Sequence, residues 1–364
     1  MNNIIISNDV LKKTLKRVKD VIDKKSHLPV LQNVLIKAKH KTVDFIVSDL
    51  EVTAIVRMDL DADNETEFDV LLPFELLNSI CNLSGSCPMQ ISSDGTQAMI
   101  AANSDKYEVN ALEEVSEYPA LADFPESDLM KLNDDFVFWM DRSLLTLSPD
   151  KLRPAMTKVC LDIKASELTI VTTDALCMFT KGFKLEECDD AILVLSPKVV
   201  KVLSGLENIG MSWNENHVKF QDEGITIIAQ RCLEKFPPFR NVIPKKSKPN
   251  VEFNRQDIIA ALEKVSITAG SASAIQFLLK SMIGVVKVES NDANCGRSSS
   301  TELAADFSGT CECIGVNVKN MINVLKQVHF DYISLAIDQP SKPIILSAKS
   351  DETYQGLIMP LLLS

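Results

Sequence analysis

Val70-Leu71-Leu72-Pro73-Phe74-Glu75-Leu76-Leu77, Val194-Leu195-Ser196-Pro197-Lys198-Val199-Val200 and Ile314-Gly315-Val316-Asn317-Val318-Lys319-Asn320-Met321 are three versions of one pattern. In each, an apolar strand end meets a Pro, Ser or Asn and passes into a run with helical spacing. The three stand about 120 residues apart. That exceeds solenoid periods of roughly 20–50 residues and matches whole domains, commonly about 100–150 residues. Three like domains in 364 residues point to a function built on symmetry and not on one catalytic pocket.

Outward from these stretches the repeat continues. Each third opens with a strand and an amphipathic helix: Asn2–Ile6 then Asp9–Ile22, with Asn8 as the expected N-cap; Phe136–Trp139 then a short Arg142–Ser148 closed by Pro149; and Val251–Phe253 then Arg255–Thr268. A strand pair follows: Val34–Ala38 with Val43–Val47, Val159–Ile163 with Leu168–Thr172, and Gln276–Leu279 with Val285–Glu289. Asp49 and Asp174 take matching corners after the first two pairs, and such carboxylates more often cap turns than form acid–base pairs. The Pro-bearing, charged stretches Tyr118–Asp128 and Ile243–Asn250 read as linkers. The expected domains are 1–125, 126–246 and 247–364, each an α+β unit with two helices packed on antiparallel strands.

The chain is 46% hydrophobic and 24% charged, an ordinary globular composition. No apolar run approaches the ~20 residues of a membrane span, and the N-terminus lacks the pattern of a signal peptide. Nine Cys without a framework read as reduced and intracellular. A net charge of −12 argues against broad nucleic-acid coating. The charge is uneven, however: Lys12, Lys13, Lys16, Arg17, Lys19, Lys24 and Lys25 crowd one stretch against Asp9, Asp20 and Asp23. An acidic surface with local basic helices repels polyanions over most of its area and accepts one in a single place.

Across its whole length the chain resembles the bacterial DNA polymerase III beta subunit, the replication sliding clamp. The resemblance is carried, in order, by Leu28-Pro29-Val30-Leu31-Gln32-Asn33-Val34-Leu35, Ser48-Asp49-Leu50-Glu51 and Tyr118-Pro119-Ala120-Leu121-Ala122-Asp123-Phe124-Pro125. It continues through Leu152-Arg153-Pro154-Ala155-Met156, Val171-Thr172-Thr173-Asp174, Lys235-Phe236-Pro237-Pro238-Phe239-Arg240-Asn241-Val242-Ile243-Pro244 and Ile358-Met359-Pro360-Leu361. It implies three clamp domains that make half of a closed ring, cytoplasmic and non-catalytic, holding a replicative polymerase on DNA.

Helix counting bounds the ring. Six helices, each roughly 10 Å across, enclose a hole of about 9 Å; twelve enclose about 28 Å. Only the larger passes a duplex whose major groove alone is about 12 Å wide. Two chains are therefore expected, joined head to tail. The resemblance places that contact at Tyr107 and Val109 facing Ile267 and Thr268.

Contact with double-stranded DNA should be electrostatic and without sequence choice. The candidates are Lys12, Lys16, Lys19, Lys24 and Lys25, with Arg153, Lys198 and Lys201; for any single Lys a solvated face is the rival reading. The resemblance further implies an apolar groove that takes a short peptide motif from the polymerase catalytic subunit, the clamp loader, other polymerases and repair proteins. Its residues would be Met156, Thr173, Ala175, Leu176, Cys177, Met178, Pro237, Asn241, Val242, Pro340, Lys342, Met359, Pro360 and Leu361; the alternative is ordinary core. Many family members have Gly-His-Arg-Leu where this chain has Ala175-Leu176-Cys177-Met178, and an Arg where it has Asn241. The Leu361-Leu362-Leu363-Ser364 tail lacks the basic residue sometimes seen.

No P-loop or dinucleotide fingerprint occurs, and His27, His40, His217 and His329 lack zinc spacing. No cofactor, no metal and no catalysis are expected. The rival readings are a clamp-fold scaffold serving partners outside the main replisome and, more remotely, a hydrolase.

Overall fold

The structure, a computed structural model, describes residues 2–60, 67–94, 97–110, 114–121, 124, 128–244, 247–292 and 296–362. Parts of both expected linkers, with Ala122, Asp123 and Pro125 of the resemblance motifs and Leu363 and Ser364 of the tail, lie outside the described residues.

The first third runs β1 (Asn2–Ser7), α1 (Asn8–Val18), β2 (Asn33–Lys39), β3 (Thr42–Ser48), β4 (Val52–Asp59), β5 (Glu67–Pro73), α2 (Phe74–Leu83), β6 (Pro88–Ser93), β7 (Gln97–Ala102) and β8 (Asp105–Asn110). The second runs β9 (Met130–Lys131), α3 (Phe136–Ser143), β10 (Val159–Lys164), β11 (Glu167–Thr173), β12 (Cys177–Lys184), β13 (Ala191–Leu195), α4 (Pro197–Leu203), β14 (Gly210–Trp213), β15 (His217–Asp222) and β16 (Ile225–Gln230). The third runs β17 (Val251–Asn254), α5 (Arg255–Ser266), β18 (Ala274–Met282), β19 (Val285–Asp292), β20 (Arg297–Ala304), β21 (Cys313–Asn317), α6 (Val318–Lys326), β22 (Tyr332–Ala336), β23 (Ile344–Ala348) and β24 (Asp351–Ile358). All three thirds share one element order, and each is itself a doubled strand–helix–three-strand unit.

The chain forms two compact units, Met1–Val137 with Leu195–Arg231 and Phe138–Val194 with Cys232–Ser364. The division runs through the middle third. The first unit holds a four-stranded sheet, β1-β6-β7-β8, and an eight-stranded sheet, β5-β2-β3-β4-β16-β15-β14-β9. The second holds β20-β19-β18-β21 and the eight-stranded β13-β10-β11-β12-β24-β23-β22-β17. Each large sheet is two four-stranded halves joined through the last strand of each, β4 to β16 and β12 to β24. The two small sheets are halves whose last strands, β8 and β20, are edges.

Apolar spacing decides which helix face is inward. On α1, Leu11, Leu15 and Val18 are buried with Thr14; on α6, Val318, Met321, Val324 and Leu325 are buried. Each such Leu contributes roughly 1.5–3 kcal/mol of burial, and Leu15→Ala would cost about 2–5 kcal/mol. The helix after β1 ends at Val18, short of the expected Ile22, and α5 ends at Ser266, short of Thr268.

Two local expectations are corrected. Phe136–Trp139 is not a strand: it opens α3, because Phe136, Trp139, Met140 and Ser143 are buried at helical spacing. The strand of that third is the two-residue β9, which pairs with β14. A 3-10 turn, Leu144–Thr146, carries the chain on towards Pro149. Ser7, not Asn8, stands at the N-cap of α1. Asn8 is fully buried, and its Nδ2 donates to the carbonyls of Cys81 at 2.9 Å, Ser84 at 2.8 Å and Gly85 at 2.6 Å. It thereby caps the end of α2, where orphan carbonyls need donors.

The second unit buries an aromatic cluster. Trp139 stacks on Tyr354 at 5.9 Å, with Phe179 and Phe330 beside it. The Lys181 ammonium lies 5.1 Å from the Trp139 ring and 2.6 Å from Asp351. Burial alone would raise the Asp351 carboxyl; hydrogen bonds from Lys181 and Thr353 and the Lys181 charge hold it below its ordinary value.

Candidate nucleic-acid interface and partner groove

In the first unit α1 and α4 both pack against β4, and the gap between them is a cleft of about 740 Å³. Val10, Thr14, Val56 and Met58 supply its apolar base, and Lys13, Lys16, Arg17, Lys19 and Lys201 its cationic walls, against the single acid Asp20. Arg57 touches the cleft too, but its guanidinium is held by Asp44 at 2.7 and 2.8 Å. Lys13, Lys16, Lys19 and Lys201 have no ion-pair partner among the described residues. The cleft thus concentrates positive charge in an acidic chain, the electrostatics that accept a phosphate backbone.

Of the sequence candidates, Lys16, Lys19 and Lys201 meet here. Lys12 does not: it is half-buried and its charge acts on the Cys81 thiol, which burial pushes up to about 11. Lys24 and Lys25 are exposed after α1, Lys24 within 2.7 Å of Glu75, a surface pair worth about 0–1 kcal/mol and easily exchanged for a phosphate. Lys198 is committed to Asp49. Arg153 lies in the second unit, exposed, with Asp150 at 3.7 Å. Lys13 and Arg17 were missed, although Lys13, Lys16, Arg17 and Asp20 share one helical face by spacing.

The two Asp corners are near copies. Asp49 Oδ1 accepts from the amides of Glu51 at 3.0 Å and Val52 at 2.7 Å; Asp174 Oδ1 accepts from Leu176 at 2.8 Å and Cys177 at 2.6 Å. Leu50 and Ala175, the residues after them, both have φ of 75°. These are turn-closing Asx residues.

All the expected groove residues fall in the second unit. The Met359 amide donates to the Leu176 carbonyl at 2.7 Å, and Cys177 and Met178 pair with Ile358 and Leu357 across β12 and β24. Leu176 is 54% and Val242 53% exposed, while Thr173, Cys177 and Met178 are buried beneath. Met178 and Met359 join a cluster with Cys160, Val171, Val194 and Phe239. Burial pushes the Cys160 and Cys177 thiols up, so both stay protonated apolar fillers. Met156 stands half-buried in the 3-10 turn Pro154–Thr157. Pro237 and Asn241 line a neighbouring cleft of about 600 Å³ along Phe236–Asn241 and β13, walled by Arg240, whose Nη2 donates to Asp162 at 2.5 Å. Pro360 and Leu361 are half-buried, the Leu361 amide donating to Gly315. Pro340 and Lys342 stand on an exposed turn, where the Lys342 amide donates to the Gln339 carbonyl at 3.1 Å.

Tyr107, half-buried, and Val109, buried, share one face of the edge strand β8. Ile267, 78% exposed, and Thr268 follow α5. The Thr268 hydroxyl meets Ser290 and lies 2.5 Å from Ser299. Among the described residues no group of His, Cys, Asp and Glu could hold a metal ion, and no helix is long and apolar enough to cross a membrane.

Residues 2–122 match the family profile described as DNA polymerase III beta subunit, N-terminal domain, and residues 240–362 match the C-terminal domain. Among curated proteins, the beta sliding clamp of Streptomyces coelicolor is 23% identical over 99% of both chains. That of Staphylococcus epidermidis is 22% identical, again over 99% of each. Among solved structures, a sliding clamp of Pseudomonas aeruginosa bound to griselimycin superposes with a TM-score of 0.91 at 19% identity over 99% of both chains. One of Bacillus subtilis gives 0.90 at 20% identity, covering 100% of this chain and 99% of its own.

Proposed function

This chain belongs to the DNA polymerase III beta subunit family, and we infer that it works as a sliding clamp, a non-catalytic subunit that tethers the replicative polymerase to duplex DNA for processive synthesis. Two copies close head to tail into a cytoplasmic ring of six clamp domains, bounded in each chain near residues 125 and 246. Duplex DNA passes through the hole and rides on Lys16, Lys19 and Lys201 with the neighbouring Lys13 and Arg17. Enclosure replaces affinity: contacts that are weak and salt-sensitive suffice because dissociation requires opening the ring.

The observation that carries this reading is the strand pattern. Among the described residues, four of six half-sheets are joined last strand to last strand, and the remaining two end in the edges β8 and β20. An unpaired edge is a template for another strand. Joining β8 of one copy to β20 of the next repeats the intrachain junction, leaves no free last strand, and sets Tyr107 and Val109 near Ile267 and Thr268. Such a heterologous contact makes a ring when its rotation closes.

Light scattering tests it: a chain of 40.3 kDa should appear as a particle of about 80 kDa, and Tyr107→Asp should reduce it to the single chain. A wild-type monomer at all concentrations would contradict the ring.

Partner peptides of the polymerase, clamp loader and repair proteins dock at the opening between Leu176, Val242 and Met359, where Met and Leu adapt to several sequences. The Ala175–Met178 corner, without the polar groups common in the family, supports a second reading: a clamp-fold scaffold with a variant partner set. Pull-down with a generic clamp-binding peptide separates them; capture favours the replicative role, and failure of capture the scaffold.

A further inference from the structure

The place where α1 and α4 pack on β4 has a counterpart in the second unit, where α6 and the 3-10 turn that continues α3 pack on β12. Asn8, Leu11, Leu15 and Val18 are buried at the same spacing as Phe136, Trp139, Ser143 and Thr146, so Val10 corresponds to Phe138. Ser196 and Asn317 are matching N-caps, so Lys201, Ser204 and Gly205 correspond to Ile322, Leu325 and Lys326.

The second unit closes this place. The Gln327 side-chain amide donates to the Thr146 hydroxyl at 3.2 Å, both side chains buried. The Phe138 ring meets His329 edge-on at 5.0 Å, and Leu325 is sealed. The first unit leaves it open, as the cleft of about 740 Å³. Val10 is 43% exposed, and Ser204 and Gly205 stand at the surface. The Thr14 hydroxyl donates to the Met58 sulfur at 3.3 Å, which holds that thioether in an apolar floor with Val56. The rims differ as well. Lys13, Lys16 and Arg17 take the places of Asp141, Leu144 and Leu145, so the cations accompany the open copy.

Duplex DNA would use half of this cleft. Its phosphates reach the rim, but its bases are paired and stacked inside the backbone and offer nothing flat and apolar to Val10, Val56 and Met58. The ligand that complements both halves joins an uncovered aromatic ring to several phosphates. Small-molecule sites commonly measure about 300–1,000 Å³ and pair an apolar lining with a few placed polar groups, and a Met sulfur packs well against an aromatic ring.

We propose that the cleft between α1 and α4 binds a free nucleoside triphosphate, its base on Val10, Val56 and Met58 and its phosphates among Lys13, Lys16, Arg17 and Lys201. Arg17 is oriented there by donating to the Glu223 carbonyl at 3.4 Å. Nucleotide and duplex draw on the same cations, so each weakens the other. That competition, unlike the site itself, rests on the DNA reading above.

Calorimetric titration of the full chain with ATP, inorganic triphosphate and adenosine tests the site. ATP should bind at least about tenfold more tightly than either fragment, because each fragment covers one half of the cleft. Inorganic triphosphate binding as tightly as ATP would overturn the site and leave a cationic surface only. Lys13→Glu with Arg17→Glu should lower ATP affinity at least about tenfold, whereas Lys326→Ala, at the closed counterpart, should leave it unchanged. Equal losses would overturn the placement. Val10→Ser changes an exposed position and spares the fold; it should lower ATP affinity about threefold and leave inorganic triphosphate unaltered. An unaltered ATP affinity in that variant would overturn the apolar floor. A short single-stranded oligonucleotide that binds more tightly than ATP and displaces it would assign the cleft to an unpaired strand and overturn the free nucleotide. In the last arm, ATP should weaken binding of a short linear duplex. ATP that binds without weakening the duplex would overturn the duplex contact here and leave the nucleotide site standing.

Discussion

The corner Ser48–Thr53 in the first unit and the corner Thr173–Met178 in the second share a backbone and differ in their surroundings. Both close on an Asp that accepts two amides, both hold the next residue at φ of 75°, and both receive an amide from the strand beyond, Gln230 to Glu51 at 2.8 Å and Met359 to Leu176 at 2.7 Å. The side chains then part. Around the first corner stand Glu51, Thr53 and Gln230, with Leu31 sealed at 2% exposure, and Lys198 is seated on Asp49. Around the second stand Leu176, Met178 and Met359, with Met156 half open, and no cation is seated on Asp174 among the described residues. A duplicated turn thus became an ion-paired structural joint in one copy and an apolar opening in the other. The geometry of the corner was kept, and the surrounding residues assign its work.

The sharpest way to break this comparison is to remove each Asp. Asp49→Ala loses the turn and strands the partly buried Lys198, a cost of about 2–3 kcal/mol; Asp174→Ala loses only turn hydrogen bonds, about 1 kcal/mol. Urea unfolding should separate the two, and equal losses would dissolve the distinction. Next in size, Leu176→Asp should weaken partner-peptide binding about thirtyfold, near the 2 kcal/mol of an interface hot spot. Leu50→Asp, the matching change in the first unit, should leave binding unaltered by fluorescence titration.

The third contrast is in pH. Lys181 faces Tyr354 at the junction of β12 and β24, where the first unit has Val56 facing Ile225. Asp351, partner of Lys181, has a lowered folded-state pKa. Its stabilisation is therefore complete above the usual Asp value of about 3.9 and is lost as pH falls through the lower folded value. The Val56–Ile225 site has nothing to titrate. Trp139 lies in the second unit and Trp213 in the first, so Trp213→Phe and Trp139→Phe variants report each unit alone. Acid should disturb the Trp139 signal first, and Asp351→Asn should remove that difference. The smallest effect is at the strained positions: Ala175→Gly should stabilise by up to about 1 kcal/mol, since φ of 75° costs a side chain that much, visible as a small rise in the urea midpoint.

Much of this was legible in the sequence, because the repeat is written in local signals: apolar alternation for strands, Pro, Ser or Asn before each second helix, and Asp at the corners. The failures came where local signals conflict with long-range ones. Phe136-Val137-Phe138-Trp139 has strand composition, and only the burial of Trp139 and Met140 on one face makes it a helix. A two-residue strand such as β9 carries no pattern at all. Asn8 looks like a cap for its own helix because the carbonyls it serves are more than 70 residues away. Lys198 read as a free base, since Asp49 lies 149 residues earlier. The groove is implied by the resemblance alone; spacing offers nothing to distinguish Met178 in a docking site from Met178 in a core.

The central claim is that the protein holds DNA by enclosure, and the most direct measurement is retention on DNA of different topology. Loaded onto a nicked circle, the protein should stay bound through gel filtration at moderate salt, and cutting the circle once should release it as it slides off the ends. Equal retention on circular and linear DNA would contradict the account.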